Sequence, residues 1–298
     1  MLDTRGGEAL WVVVMARPHG SAPQRHGDAR ANGGPSIPSR TQIGTRWMLE
    51  HAIEHALQLV PGDRLITVIA AEHRRHLGEP FAEPPGLLLE QPRYCGSAPA
   101  LLLSLAHVLG RDVDATVILL PADHFPQPEE PFLRILARVG TAAARLPDRV
   151  LLLGAEPPGP EAHAERIVTP PVVEERPADG EPDGPLGRPT MEAMFRDGGP
   201  RNTDIVAARA AKLWELASRF LPDMVRRFAM LRTVIKLGLD DQAPKDHETL
   251  ALADVYRDMG HADYTLDVLH RAQESVMALS PETAQWSDRI VPNASRGR

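Results

Sequence analysis

Ala9-Leu10-Trp11-Val12-Val13-Val14-Met15 is an uninterrupted apolar run rich in β-branched side chains. It is too short for a stable helix, and it lacks the alternation of a strand with one wet face. It reads as a strand covered on both sides. Three further runs have the same character: Leu65-Ile66-Thr67-Val68-Ile69-Ala70, Ala115-Thr116-Val117-Ile118-Leu119-Leu120 and Val150-Leu151-Leu152-Leu153. Between them the apolar residues recur at helical spacing, over about 45–59, 98–109 and 131–146. Fully apolar strands alternating with helices predict an α/β protein whose largely parallel sheet is sandwiched between helices. Further along, 203–219, 222–236 and 247–258 read as helices, with Pro222 suited to a helix start.

Two stretches break the rhythm. Residues 16–44 are polar and rich in Gly and Pro, and they leave the carboxyl end of the first strand, where open α/β sheets place their ligands. Residues 155–189 are rich in proline and acidic residues and sustain no pattern, which predicts short strands and a surface excursion.

The 298-residue composition fits a folded chain: 43% hydrophobic and 24% charged residues support a buried core. A net charge of −7 gives no long-range attraction for nucleic acid. No apolar run approaches the roughly 20 residues of a membrane span. A single cysteine and a start without the basic-then-apolar order of a secretory leader predict a cytoplasmic setting. The 33 Lys plus Arg include only three lysines, Lys212, Lys236 and Lys245. Any chemistry that needs a lysine within residues 1–211 is therefore excluded.

Several residues could carry chemistry. Pro121-Ala122-Asp123-His124 follows a buried strand directly, so Asp123 is expected over the ligand crevice, where a carboxylate suits Mg²⁺ on phosphate oxygens. Asp123 as a simple turn cap is the competing reading. Glu90-Gln91-Pro92-Arg93-Tyr94-Cys95-Gly96-Ser97-Ala98-Pro99-Ala100 leads into a helix whose first amides favour an anionic or polar ligand edge, or are merely capped by Ser97. His51-Ala52-Ile53-Glu54-His55 fits the His-x-x-Glu-His pattern of some zinc peptidases. Its helical projection, however, puts His51, Glu54 and His55 opposite the apolar stripe, which predicts a solvated polar face and no metal site. His73-Arg74-Arg75-His76 and Arg226-Arg227 read as solvated surface. Nothing pairs Cys95 with a base.

In order along the chain, these pieces resemble the sugar-1-phosphate nucleotidyltransferases, most closely the mannose-1-phosphate guanylyltransferase branch. Glu90 to Ala100 is similar to that family's base-binding segment, with Ser97 in place of threonine. Pro121-Ala122-Asp123-His124 matches its metal-binding turn. Leu152-Leu153-Gly154-Ala155-Glu156-Pro157 looks like the strand and turn that follow. Gly199-Pro200-Arg201-Asn202-Thr203 stands at the Trp-Asn-Ser position, and Trp286-Ser287-Asp288 matches the start of the last motif. The resemblance implies a Rossmann-like, three-layer nucleotidyltransferase (nucleotide-diphospho-sugar transferase) fold with a mixed, mostly parallel central sheet. It implies one domain over 1–298, with a nucleotide-binding half (1–154) and a sugar-binding half with C-terminal helices (155–298). It also implies transfer of GMP from GTP to mannose 1-phosphate with release of pyrophosphate. Asp123 and Asp288 would hold Mg²⁺; Gly20, Ser21, Glu90, Gly96, Ser97 and Ala98 would bind the nucleotide; Asn202 would bind the sugar.

The sequence departs from the family at its signature loop. Arg17-Pro18-His19-Gly20-Ser21-Ala22-Pro23 stands where Gly-Gly-x-Gly-Thr-Arg-Leu is expected, and Pro18 has no N–H to offer phosphate. Both family lysines are missing, leaving Arg40 and Arg188 (within Gly187-Arg188-Pro189) as substitute cations of different reach and geometry. Losing one preorganised charge contact costs on the order of 3 kcal/mol of barrier, about a hundredfold in rate. The alternative expectation is therefore a catalytically impaired relative that binds a nucleotide, a nucleotide sugar or a protein partner without turnover. The small-molecule partner expected is a nucleotide or nucleotide sugar, and neither nucleic acid nor a membrane is expected. Oligomeric state leaves no readable mark.

Overall fold

The β-branched run at the N-terminus forms the centre of a sheet. In the computed structural model, Leu10–Met15 (β1) lies between Leu65–Ala70 (β2) and Thr116–Pro121 (β4), parallel to both. The structure describes residues 9–16, 49–72, 74, 84–122, 125–127, 129–155, 186–187, 201–240, 246–281 and 285–287. The remaining strands are Leu87–Gln91 (β3), Phe125–Gln127 (β5), Val150–Ala155 (β6), Leu186–Gly187 (β7), Arg201–Arg209 (β8), Val276–Pro281 (β9) and Gln285–Ser287 (β10). Eight of the ten make one sheet in the order β3-β2-β1-β4-β8-β6-β9-β7. β8 runs antiparallel to both β4 and β6, and β7 antiparallel to β9; the other pairings are parallel. The mixed, mostly parallel sheet expected from the sequence is thus the observed one.

Both sheet faces are dry because successive strand residues feed different cores. Trp11, Val13, Met15, Val117 and Leu119 join one cluster, and Val12, Val14, Ile118 and Leu120 the other. A helix over 49–57 (α1) and Glu129–Arg145 (α3) cover the second face through Leu49, Ile53, Ala56, Phe132, Leu136 and Val139. The first face is covered by Ser97–Arg111 (α2), backed by Ala210–Phe220 (α4), Pro222–Leu239 (α5) and Asp246–Tyr256 (α6). Every residue of α2 from Ser97 to Leu109 is buried. That explains its near-continuous apolar sequence: the sheet lies on one side and α5 on the other. Each fully buried Leu or Val contributes about 1.5–3 kcal/mol.

One expected helix is corrected. The 203–219 pattern divides after Arg209: residues up to and including it are β8, and the helix begins at Ala210. Ile205-Val206-Ala207-Ala208 is wholly buried between β4 and β6. The two alanines favour helix locally, but the unpaired edges of β4 and β6 supply a backbone ladder on both sides. The β6/β8 register shifts between Leu153 and Gly154, and Asp204 takes a left-handed φ of 54°. That irregularity shortens the apolar run that would have marked β8 in the sequence to four residues. Strands β3, β5, β9 and β10 are further elements that periodicity did not reveal.

Candidate functional site at the carboxyl edge of the sheet

The topology brings the separate sequence motifs to one edge. β1, β2, β3, β4, β6 and β9 all point the same way, so their carboxyl ends share that edge, as does the start of antiparallel β8. The loop holding Gly20, Ser21 and Arg40 follows β1; these residues, Asp123, Asp288 and Arg188 lie outside the described residues. Asp123 is the second residue after Pro121, the last of β4. The backbone of Asn202 pairs with Gly154 near the end of β6.

A small two-stranded ribbon adds the most informative register. β5 and β10 pair antiparallel, with Gln285 opposite Gln127 and Ser287 opposite Phe125. Phe125 stands two positions after Asp123 in the chain, and Ser287 one position before Asp288. Phe125 and Ser287, more than 160 residues apart in sequence, therefore stand opposite each other at one end of the ribbon.

The Glu90–Ala98 segment is described fully, and its polar groups are engaged by the C-terminal part of the chain. Gln91 is buried and accepts a hydrogen bond from the Tyr256 hydroxyl at 3.1 Å. Arg93 donates to the Tyr256 carbonyl and, at 2.7 Å, to that of Met259. The Ala98 N–H donates to the Ala262 carbonyl, and the Ala262 N–H to the Cys95 carbonyl. The Ser97 hydroxyl donates to Asp263 Oδ2 at 2.9 Å and accepts the Tyr264 N–H at 2.8 Å. Asp263 in turn caps the short helix Tyr264–Asp267 (α7) by accepting the Leu266 N–H. Gly96 is required here: its φ is +95°, and a Cβ would stand 2.1 Å from the Ala262 carbonyl oxygen. Glu90 is exposed on the edge strand, with Arg74 3.9 Å away. Burial pushes the Cys95 thiol up, which agrees with its inert reading.

Ser97 also lines a small recess with Met15, Leu101, Leu119, Asp204, Val206, Tyr264 and Thr265. Asp204 Oδ1 accepts a hydrogen bond from the Thr265 hydroxyl at 3.0 Å. Neither residue stood out in the sequence; the only hint would have been an acidic residue inside an apolar run. On the opposite sheet face, the solvated reading of the His51–His55 helix is corrected. His55 is 2% exposed, packed edge-on against Phe132 of α3.

Scanned against known protein families, the chain matches none. No curated protein matches it either. Solved structures do. A Thermus thermophilus protein described as mannose-1-phosphate geranyltransferase superposes with a TM-score of 0.64 at 22% identity, over 94% of this chain and 76% of the other. A Helicobacter pylori protein described as mannose-6-phosphate isomerase gives 0.58 at 12% identity, over 94% of this chain and 99% of that one. At these identities the likeness is one of fold, a three-layer α/β fold of the nucleotide-diphospho-sugar transferase type. No helix among the described residues is long and apolar enough to cross a membrane.

Proposed function

We propose that the chain binds a nucleoside triphosphate and a sugar phosphate along the carboxyl edge of its sheet and acts as a sugar-1-phosphate nucleotidyltransferase. The preferred reaction is of the guanylyl type: a phosphate oxygen of mannose 1-phosphate attacks the α-phosphorus of GTP, and the α–β phosphoanhydride bond breaks to release pyrophosphate. The observation that carries this reading is the β5–β10 register, which ends beside the chain positions of Asp123 and Asp288. Two carboxylates form a hard-oxygen donor set that fits Mg²⁺, which when bound neutralises phosphate charge. In this reading Gly20, Ser21, Glu90, Gly96, Ser97 and Ala98 border the nucleotide and Asn202 the sugar. Arg40 and Arg188 then serve as the cations facing the phosphates.

A second reading, binding without turnover, is favoured by the lysine-free first 211 residues. Calorimetry separates the two. GTP and GDP-mannose are titrated with Mg²⁺ into the wild-type chain and into Asp123→Ala, alongside a pyrophosphate-release assay with mannose 1-phosphate. Metal-dependent binding lost in Asp123→Ala, together with pyrophosphate release, is the expected outcome. Binding without release establishes the second reading. No heat at millimolar ligand overturns both nucleotide readings and leaves a protein-interaction role.

A further inference from the structure

The buried face of α1 carries two imidazoles aimed at one carboxylate. His51 and His55 stand one helical turn apart, with ring centroids 4.5 Å from each other. Glu129, in the first turn of α3, faces both: its Oε1 is 3.0 Å from His51 Nε2 and its Oε2 is 3.7 Å from His55 Nε2. The His55 Nε2 is buried and has no hydrogen-bond partner, since 3.7 Å lies beyond hydrogen-bonding range. A buried polar atom without a partner is destabilising and calls for an explanation.

We infer that His51, His55 and Glu129 form a site for a borderline divalent ion, Zn²⁺ in the first instance. The donor set of two imidazoles and one carboxylate is one that zinc accepts, with bonds of about 2.0–2.2 Å. Two such bonds at the tetrahedral angle put their donor atoms about 3.4 Å apart. The two imidazoles face different oxygens of the carboxylate, at 3.0 and 3.7 Å, and one donor atom from each of the three residues can be chosen so that all lie within 4.8 Å of one another.

Glu54 Oε2 lies 3.4 Å from His51 Nδ1, the place of a second carboxylate that orients a ligating imidazole. The side chains of His51 and Glu129 are 20% and 40% exposed, leaving an entry path and room for a water as fourth ligand. Among the described residues this is the one cluster of its kind. The ion would tie α1 to α3 on the sheet face opposite α2, so the site is independent of the nucleotide reading.

The test uses the full chain freed of purification-tag histidines and stripped with chelator. Zn²⁺ is titrated by calorimetry and Co²⁺ by its visible d–d absorption, in the wild type, His51→Gln, Glu129→Gln and the exposed control His247→Gln. The expected result is one ion per chain, bound tighter than about 1 μM. Each ligand variant weakens binding by about a hundredfold or more, and His247→Gln leaves it unchanged. The half-exposed positions are chosen because His55 variants threaten the core itself. Failure to bind one equivalent, or binding that survives both ligand variants, overturns the site. Retention of zinc by Asp123→Ala is expected, and its loss there would place the ion elsewhere and overturn it too.

Discussion

Replacing Ser97 by alanine removes one hydroxyl that serves two partners. The first is the Tyr264 N–H, a buried donor held at 2.8 Å. Leaving such a group unpaired costs about 1–3 kcal/mol. The second is Asp263 Oδ2 at 2.9 Å, a hydrogen bond to a charged acceptor of the kind that contributes about 1.5–3 kcal/mol. Asp263 keeps its contact to Leu266, so α7 remains capped and the two losses overlap in part. The expected destabilisation of Ser97→Ala is about 2–4 kcal/mol, against less than about 0.5 kcal/mol for an ordinary surface serine. Urea denaturation followed by far-UV circular dichroism measures it as a shift in midpoint at constant m. A change below about 0.5 kcal/mol would refute the role of Ser97 in locking the 91–98 segment to 256–264. If nucleotide binding were nonetheless lost in so stable a variant, Ser97 would be a ligand contact instead.

Two other perturbations follow from the same geometry. Gly96→Ala adds a Cβ at 2.1 Å from a carbonyl oxygen, at a φ and ψ of 95° and 178° that side chains avoid. A loss of more than about 3 kcal/mol, or failure to accumulate folded protein, is expected by denaturation, and a near-neutral variant would sink the close approach to Ala262. His107, buried in α2 beside Arg111 and Glu248, has its pKa pulled down to about 3, by burial first and then by the Arg111 charge. Below the ordinary imidazole value of 6.5 the unfolded chain takes up a proton that the folded one refuses until about pH 3. The contribution is therefore complete above pH 6.5 and lost as pH falls, by about 2 kcal/mol at pH 5. Comparing His107→Gln with wild type between pH 7 and 5 checks this; parallel losses in the two would contradict it.

The central layer was legible in the local sequence. β1, β2, β4 and β6 are short and almost wholly apolar, and such segments have few alternatives once both faces must be dry. The order of motifs around them was equally legible, because strand ends and turn chemistry are local. Tertiary structure alone decided the rest. β8 is a strand because β4 and β6 offer its backbone a ladder on each side, which no local propensity of Ala207 and Ala208 could announce. The ribbon that pairs Ser287 with Phe125 depends on a contact across more than 150 residues. The His51–His55 face looked solvated because a helical projection knows only its own helix. What covers it is Phe132 and Glu129, supplied by α3. An acidic residue in a first helical turn reads locally as a complement to the helix dipole, and only the packing of α3 beside α1 turns it toward two imidazoles.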